Sequence, residues 1–74
     1  MGKDRERARR AVAAFLRLRE RRFGEPAPTV DQDVLRLGGR GRGNVFEVYA
    51  GAGSLSARAF HVTIYAKSAR VEEV

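Results

Sequence analysis

The helical period in this chain stops at one place and does not return. From Asp4 to Phe23 apolar residues recur at helical spacing, and then the stretch GEPAP, residues 24–28, intervenes. Gly24 suits the left-handed residue that ends many helices, and the prolines behind it forbid continuation. Beyond this break the apolar residues follow the period of two that marks strands. The pattern predicts one N-terminal helix packed on an antiparallel sheet of three to four strands, an α+β meander in a single domain.

The helix is expected over about residues 4–23, with Asp4 as its cap and Arg19, Arg21 and Arg22 near its C-terminal end, where the helix dipole favours cations. At about 100° per residue, Ala8, Ala11, Val12, Phe15, Leu16 and Phe23 form one stripe. Lys3, Arg10, Arg17 and Arg21 fall on the opposite face. Arg19 is the exception within the stripe, placed to reach past the core to a carboxylate or to the last carbonyls.

Residues 24–29 read as a linker and about 30–74 as the sheet. In DQDVLRL, Leu35 and Leu37 face one way, Val34 and Arg36 the other. In VFEVYA, Phe46, Val48 and Ala50 oppose Val45, Glu47 and Tyr49. In ARAFHVTIYAK, Phe60, Val62, Ile64 and Ala66 oppose His61, Thr63, Tyr65 and Lys67. GAGSLS reads as the loop between these last two strands, and ARVEEV as a short fourth strand or a tail. Consecutive strands joined by short loops pair antiparallel. The core is expected between the helix stripe and Leu35, Phe46, Val48, Phe60, Val62 and Ile64, which leaves the second sheet face open.

Between the first two strands lies GGRGRGN, residues 38–44. A phosphate-binding P-loop needs Lys-Ser or Lys-Thr and then a helix, whereas Asn44 and a strand follow here. A dinucleotide fingerprint fails for want of the same helix. The glycine-rich loop of kinases would have glycine where Arg40 stands. What remains is a hairpin connection longer than two residues, flexible because of its glycines, with Arg40 and Arg42 at its tip. It places Leu37 opposite Phe46, Arg36 opposite Glu47 and Val34 opposite Tyr49. The tract resembles the glycine–arginine segments of RNA-binding proteins over six residues.

Charge supplies the functional argument. The 74 residues carry 15 Lys and Arg against nine Asp and Glu, a net of +6, and only Lys3 and Lys67 of the basic residues are lysines. Guanidinium groups favour phosphates and carboxylates in bidentate geometry, so an anionic partner, most naturally nucleic acid, is expected. A genome rich in Arg and Ala codons gives the same composition. The open face is expected to show Arg36, Glu47, Tyr49, His61, Thr63, Tyr65 and Lys67, rings and cations of the kind that stack and hold bases. Candidate contacts are Arg40, Arg42, Arg36, Lys67, Tyr49 and Tyr65, with Arg10 and Arg17 on the helix.

The alternative is a small regulatory or inhibitor-type interaction domain. It would bind a protein partner, or itself as a homodimer, through the open face or an edge strand. One helix on a meander loosely resembles cystatin-like domains, without a motif that transfers residues. His61 near Glu47 or Val45 is the one acid–base candidate, and catalysis is not expected. There is no cysteine and one histidine, so neither a metal site nor a cofactor is expected. Apolar runs are too short for a membrane span or a signal peptide, and a cytoplasmic location is expected.

Overall fold

The computed structural model describes residues 2–52 and 57–74, apart from the side chain of Arg40. Helix α1 spans Gly2–Phe23, followed by strands β1 (Val30–Arg40), β2 (Gly43–Ala50), β3 (Arg58–Ile64) and β4 (Ala69–Glu73). The strands form one antiparallel sheet in the order β1-β2-β3-β4, and α1 contacts all four. The fold is the α+β meander expected, with the fourth strand present. No described helix is long and apolar enough to cross a membrane.

The helix starts two residues earlier than expected. Asp4 therefore lies in the first turn rather than at the cap. Its carboxylate accepts from Asn44 Nδ2 at 3.4 Å and sits 3.7 Å from Arg7. At the other end Gly24 adopts φ 73°, and its N–H bonds the Glu20 carbonyl at 2.8 Å, the αL cap. Ala8, Val12 and Leu16 are buried, and Ala11 and Phe15 pack beside them. Phe23 does not join this stripe and is 62 % exposed. A helix of 22 residues is about 33 Å long. The eight residues of β2 span about 27 Å and the five of β4 about 17 Å, both shorter than the helix. Arg19 and Arg22 instead lie 5.9 and 5.6 Å from the Phe23 ring.

Phe46, Val48, Ala50, Phe60, Val62 and Ile64 complete the core, with Val30, Val34 and Val71 half-buried around it. The rings of Phe15 and Phe60 meet edge to face at 5.8 Å, a contact of about 0.5–1.5 kcal/mol beyond burial. Arg19 reaches a carboxylate, as its place on the stripe implied: Nη1 donates to Glu73 at 2.9 Å. Arg58 holds the same carboxylate with two bonds of 2.6 Å.

Strand β1 departs from expectation. Its turn is only two residues long, since Arg40 pairs with Gly43. Gly41 has φ 59° and Arg42 has negative φ, the pattern of a II′ turn. The flexible seven-residue connection is therefore a regular hairpin end. With that turn alone, Leu37 would oppose Phe46 as expected. A bulge at Leu37 intervenes, so that Gly38 pairs with Val45 but Arg36 pairs with Phe46. One inserted residue turns the preceding side chains to the other face. Val34, opposite Val48, packs toward the helix. Leu35 and Leu37 stand on the open face, 55 % and 46 % exposed. Leu35 is thus not a core residue, and Arg36 lies on the helix side.

Candidate nucleic-acid interface

Both described hairpin turns lie at one end of the sheet. Asn44 pairs with Ile64 and Ile64 with Ala69, so the Gly41–Arg42 turn and the bend at residues 65–68 are neighbours. Helix α1 enters at this same end. Arg5 donates to the Val34 carbonyl, Arg7 Nη2 to the Ser68 carbonyl at 3.3 Å, and Asn44 Nδ2 to Asp4. The short linker dictates this placement. It returns the chain from the end of the helix to the start of β1, so the helix runs antiparallel to β1 and its N-terminus meets the turn.

One end of the molecule thus gathers Lys3, Arg5 and Arg7 from the helix, Arg36 and Arg42 from the first hairpin, and Lys67 and Arg70 from the second. The positive end of the helix dipole adds to them. Of the acids beside them, Asp4 is engaged by Asn44 and Arg7, and Glu72 lies 3.6 Å from Arg70. Arg36 donates through Nη2 to Asn44 Oδ1 at 3.0 Å. Asp4, Arg5, Arg36, Asn44 and Phe46 line a cleft of about 210 Å³ beneath the hairpin. At the opposite end acids are matched to cations: Glu73 serves Arg19 and Arg58, and Glu25 lies 3.8 Å from Arg19.

The candidate residues therefore separate. Arg36, Arg42, Lys67 and Tyr65 share the basic end. Arg40 closes β1 beside them, and its side chain lies outside the described residues. Lys67 sits in the bend after β3 rather than on the sheet face, because β3 stops at Ile64. Tyr65 lies over its own sheet: a Cβ on Gly43 would come within 2.9 Å of its ring and 2.7 Å of Thr63. Thr63 is buried there at 3 % exposure. Tyr49 is at the far end, opposite Ala59. Arg10 and Arg17 are exposed on the outer helix face as expected, apart from the hairpin tips. Periodicity alone puts Lys3 on the helix exterior and assigns no function to Arg5, Arg7 or Arg70. The linker length was the sequence signal for the three helical cations.

The open face differs from its expected composition. Arg36 and Lys67 are absent from it, and Leu35 and Leu37 are present. Glu47 faces His61, whose Nε2 lies 2.9 Å from Glu47 Oε2, and Tyr49 donates its hydroxyl to Glu47 Oε1. The Tyr49 hydrogen bond, then that of His61, holds the Glu47 carboxyl below its ordinary range. The same bond pushes the Tyr49 phenol up. Both carboxylate oxygens are occupied, so the pair reads as a sheet cross-link. Among the described residues no three His, Asp or Glu side chains are grouped to hold a metal. The GAGSLS loop falls mostly on residues 53–56, outside the described residues.

No family model, curated protein or solved structure matches this chain. The functional reading therefore rests on the residues themselves.

Proposed function

We propose that this chain is a small non-enzymatic module that binds nucleic acid through its basic end. One observation carries the reading: the fold gathers cations from three separate segments at the paired turns, while the opposite end neutralises Arg19 and Arg58 with acids. Two hairpin tips and the first turn of a helix form a projecting surface, suited to phosphates along a backbone. Arg42 and Lys67 supply the outermost contacts, with Arg36 and Arg5 behind them.

The test is a polarisation titration with mixed RNA and DNA oligomers between 50 and 200 mM salt. The charge reversals Arg42→Glu and Lys67→Glu together should lower affinity and reduce the salt slope by about one for each phosphate no longer neutralised. Reversing Arg17 and Arg21 on the outer helix face should do much less. Equal effects from both pairs, or no binding at low salt, would remove the proposal.

A second reading, a protein-interaction domain, is favoured by the leucines exposed on the open face. It expects one stoichiometric protein, and no nucleic acid, to copurify. The ratio of absorbance at 260 and 280 nm before and after a high-salt wash separates the two readings.

A further inference from the structure

We infer that a second copy of this chain docks on the open sheet face, forming a two-fold dimer with both helices outward. Leu35, Leu37, Val45 and Tyr49 form the apolar part of this surface, on the side away from α1. Leu35 and Leu37 have no core to join, because the bulge at Leu37 has already given the inner positions to Val34 and Arg36. Large apolar side chains grouped on one face mark a surface that gains from being covered.

Charge selects the occupant. At a net charge of +6 two copies repel each other over most of their surface. The outer helix face presents Lys3, Arg10, Arg17 and Arg21, and the turn end presents the cations of the basic end. The open sheet face is different. Its charged groups are the acids Glu47 and Glu72 with Arg70 and, by alternation from Val34, the exposed Asp33 of β1; Arg70 Nη2 lies 3.6 Å from Glu72. It is the face that carries none of the chain's cationic excess, so a second copy is not repelled there by the arginines that cover the rest of the surface. A two-fold axis makes such a patch self-complementary, each copy offering Arg70 to the acids of the other.

The alternative of pairing edge to edge along β1 is obstructed. Arg9 donates to the carbonyl of Asp31 at 2.9 Å and to that of Val30 at 3.5 Å, and Arg5 donates to that of Val34. These guanidinium groups occupy acceptors on the long edge strand, in the manner of other edge-blocking charges.

The size of the face sets the strength. Four strands about 4.8 Å apart and averaging about 26 Å in length project to about 500 Å². Side-chain relief raises this toward the roughly 600 Å² per partner at the lower limit of specific interfaces. The dimer should therefore be weak, forming between about 10 µM and 1 mM.

Sedimentation equilibrium of salt-washed, nucleic-acid-free protein across that range is the test. The mass should rise from monomer toward dimer and stop there. The double variant Leu35→Lys, Leu37→Lys should stay monomeric with an unchanged circular dichroism spectrum and melting temperature. Arg17→Glu with Arg21→Glu should dimerise at least as well as the parent. If the leucine variant unfolds, Tyr49→Lys serves in its place. A monomer at 1 mM, growth beyond the dimer, or a leucine variant that dimerises normally would overturn the inference. Dimerisation is read without nucleic acid, so its failure leaves the basic-end proposal standing.

Discussion

Gly38 has φ 142°, a region closed to residues with a Cβ, and it is the residue that follows the bulge. Gly38→Val should cost about 1–3 kcal/mol in a urea melt, the usual penalty for forcing such a backbone. If the chain instead relaxes to the unbulged pairing, Leu37 should move opposite Phe46, and amide-to-amide contacts by NMR would register the slip. Single carboxylates also leave a readable signature. The Arg58 hydrogen bonds, then the nearby charges of Arg58 and Arg19, hold Glu73 below its ordinary range, and Tyr49 and His61 do the same for Glu47. A depressed carboxyl contributes stability above its unfolded pKa, about 4.3, and loses it as pH falls through the folded value. The raised Tyr49 phenol has the opposite sign. Its contribution is present below about pH 10 and is lost as pH climbs through the folded value. Melting temperature should therefore fall at both extremes. Glu73→Gln should flatten the acid limb and Tyr49→Phe the alkaline one; limbs unchanged from the parent would contradict both assignments.

At the level of elements, the helix was the most legible. Its stripe as far as Leu16, its glycine stop and the reach of Arg19 follow from a period that neighbours do not alter, whereas Phe23, expected on the stripe, is exposed. Strands β2 and β3 were legible for a similar reason: their alternation is uninterrupted, and packing confirms the same residues inward. Strand β1 was not. Val34, Leu35 and Leu37 are apolar on both sides of the ribbon, so alternation alone does not choose a face, and the bulge reverses it. The helix also restrains this strand through Arg5 and Arg9, one turn apart, each donating to β1 carbonyls. Replacing both by alanine should free acceptors on a long edge. The expected outcome is faster aggregation by light scattering at low salt, with little loss of helix by circular dichroism.

For the molecule as a whole, one core carries stability. Phe60 is fully buried among Phe15, Arg58 and the helix stripe. Phe60→Ala should cost about 3–5 kcal/mol. A domain this small has roughly 5 kcal/mol or somewhat less to lose, so the variant should be marginal at 25 °C, with a melting temperature far below the parent's by circular dichroism. The charge distribution belongs to the same scale. Residues as distant in sequence as Lys3, Arg36 and Lys67 come to one end only because the meander stacks its turns there and the helix returns antiparallel to β1. The seven-residue tract at 38–44, read as an independent flexible finger, is instead one corner of that surface.

What the order of residues determined alone was the set of elements, their antiparallel sequence and most of the core, because period and turn chemistry are local. The side chains offered by β1 were decided by a single inserted residue, whose position depends on packing against β2 and the helix. The gathering of cations was decided by the direction in which the helix lies on the sheet. The first is a long-range choice, settled by which arrangement buries valine and phenylalanine together; the second needs both the linker that turns the helix back and the meander that stacks two turns at one end, and no single window of neighbouring residues contains both.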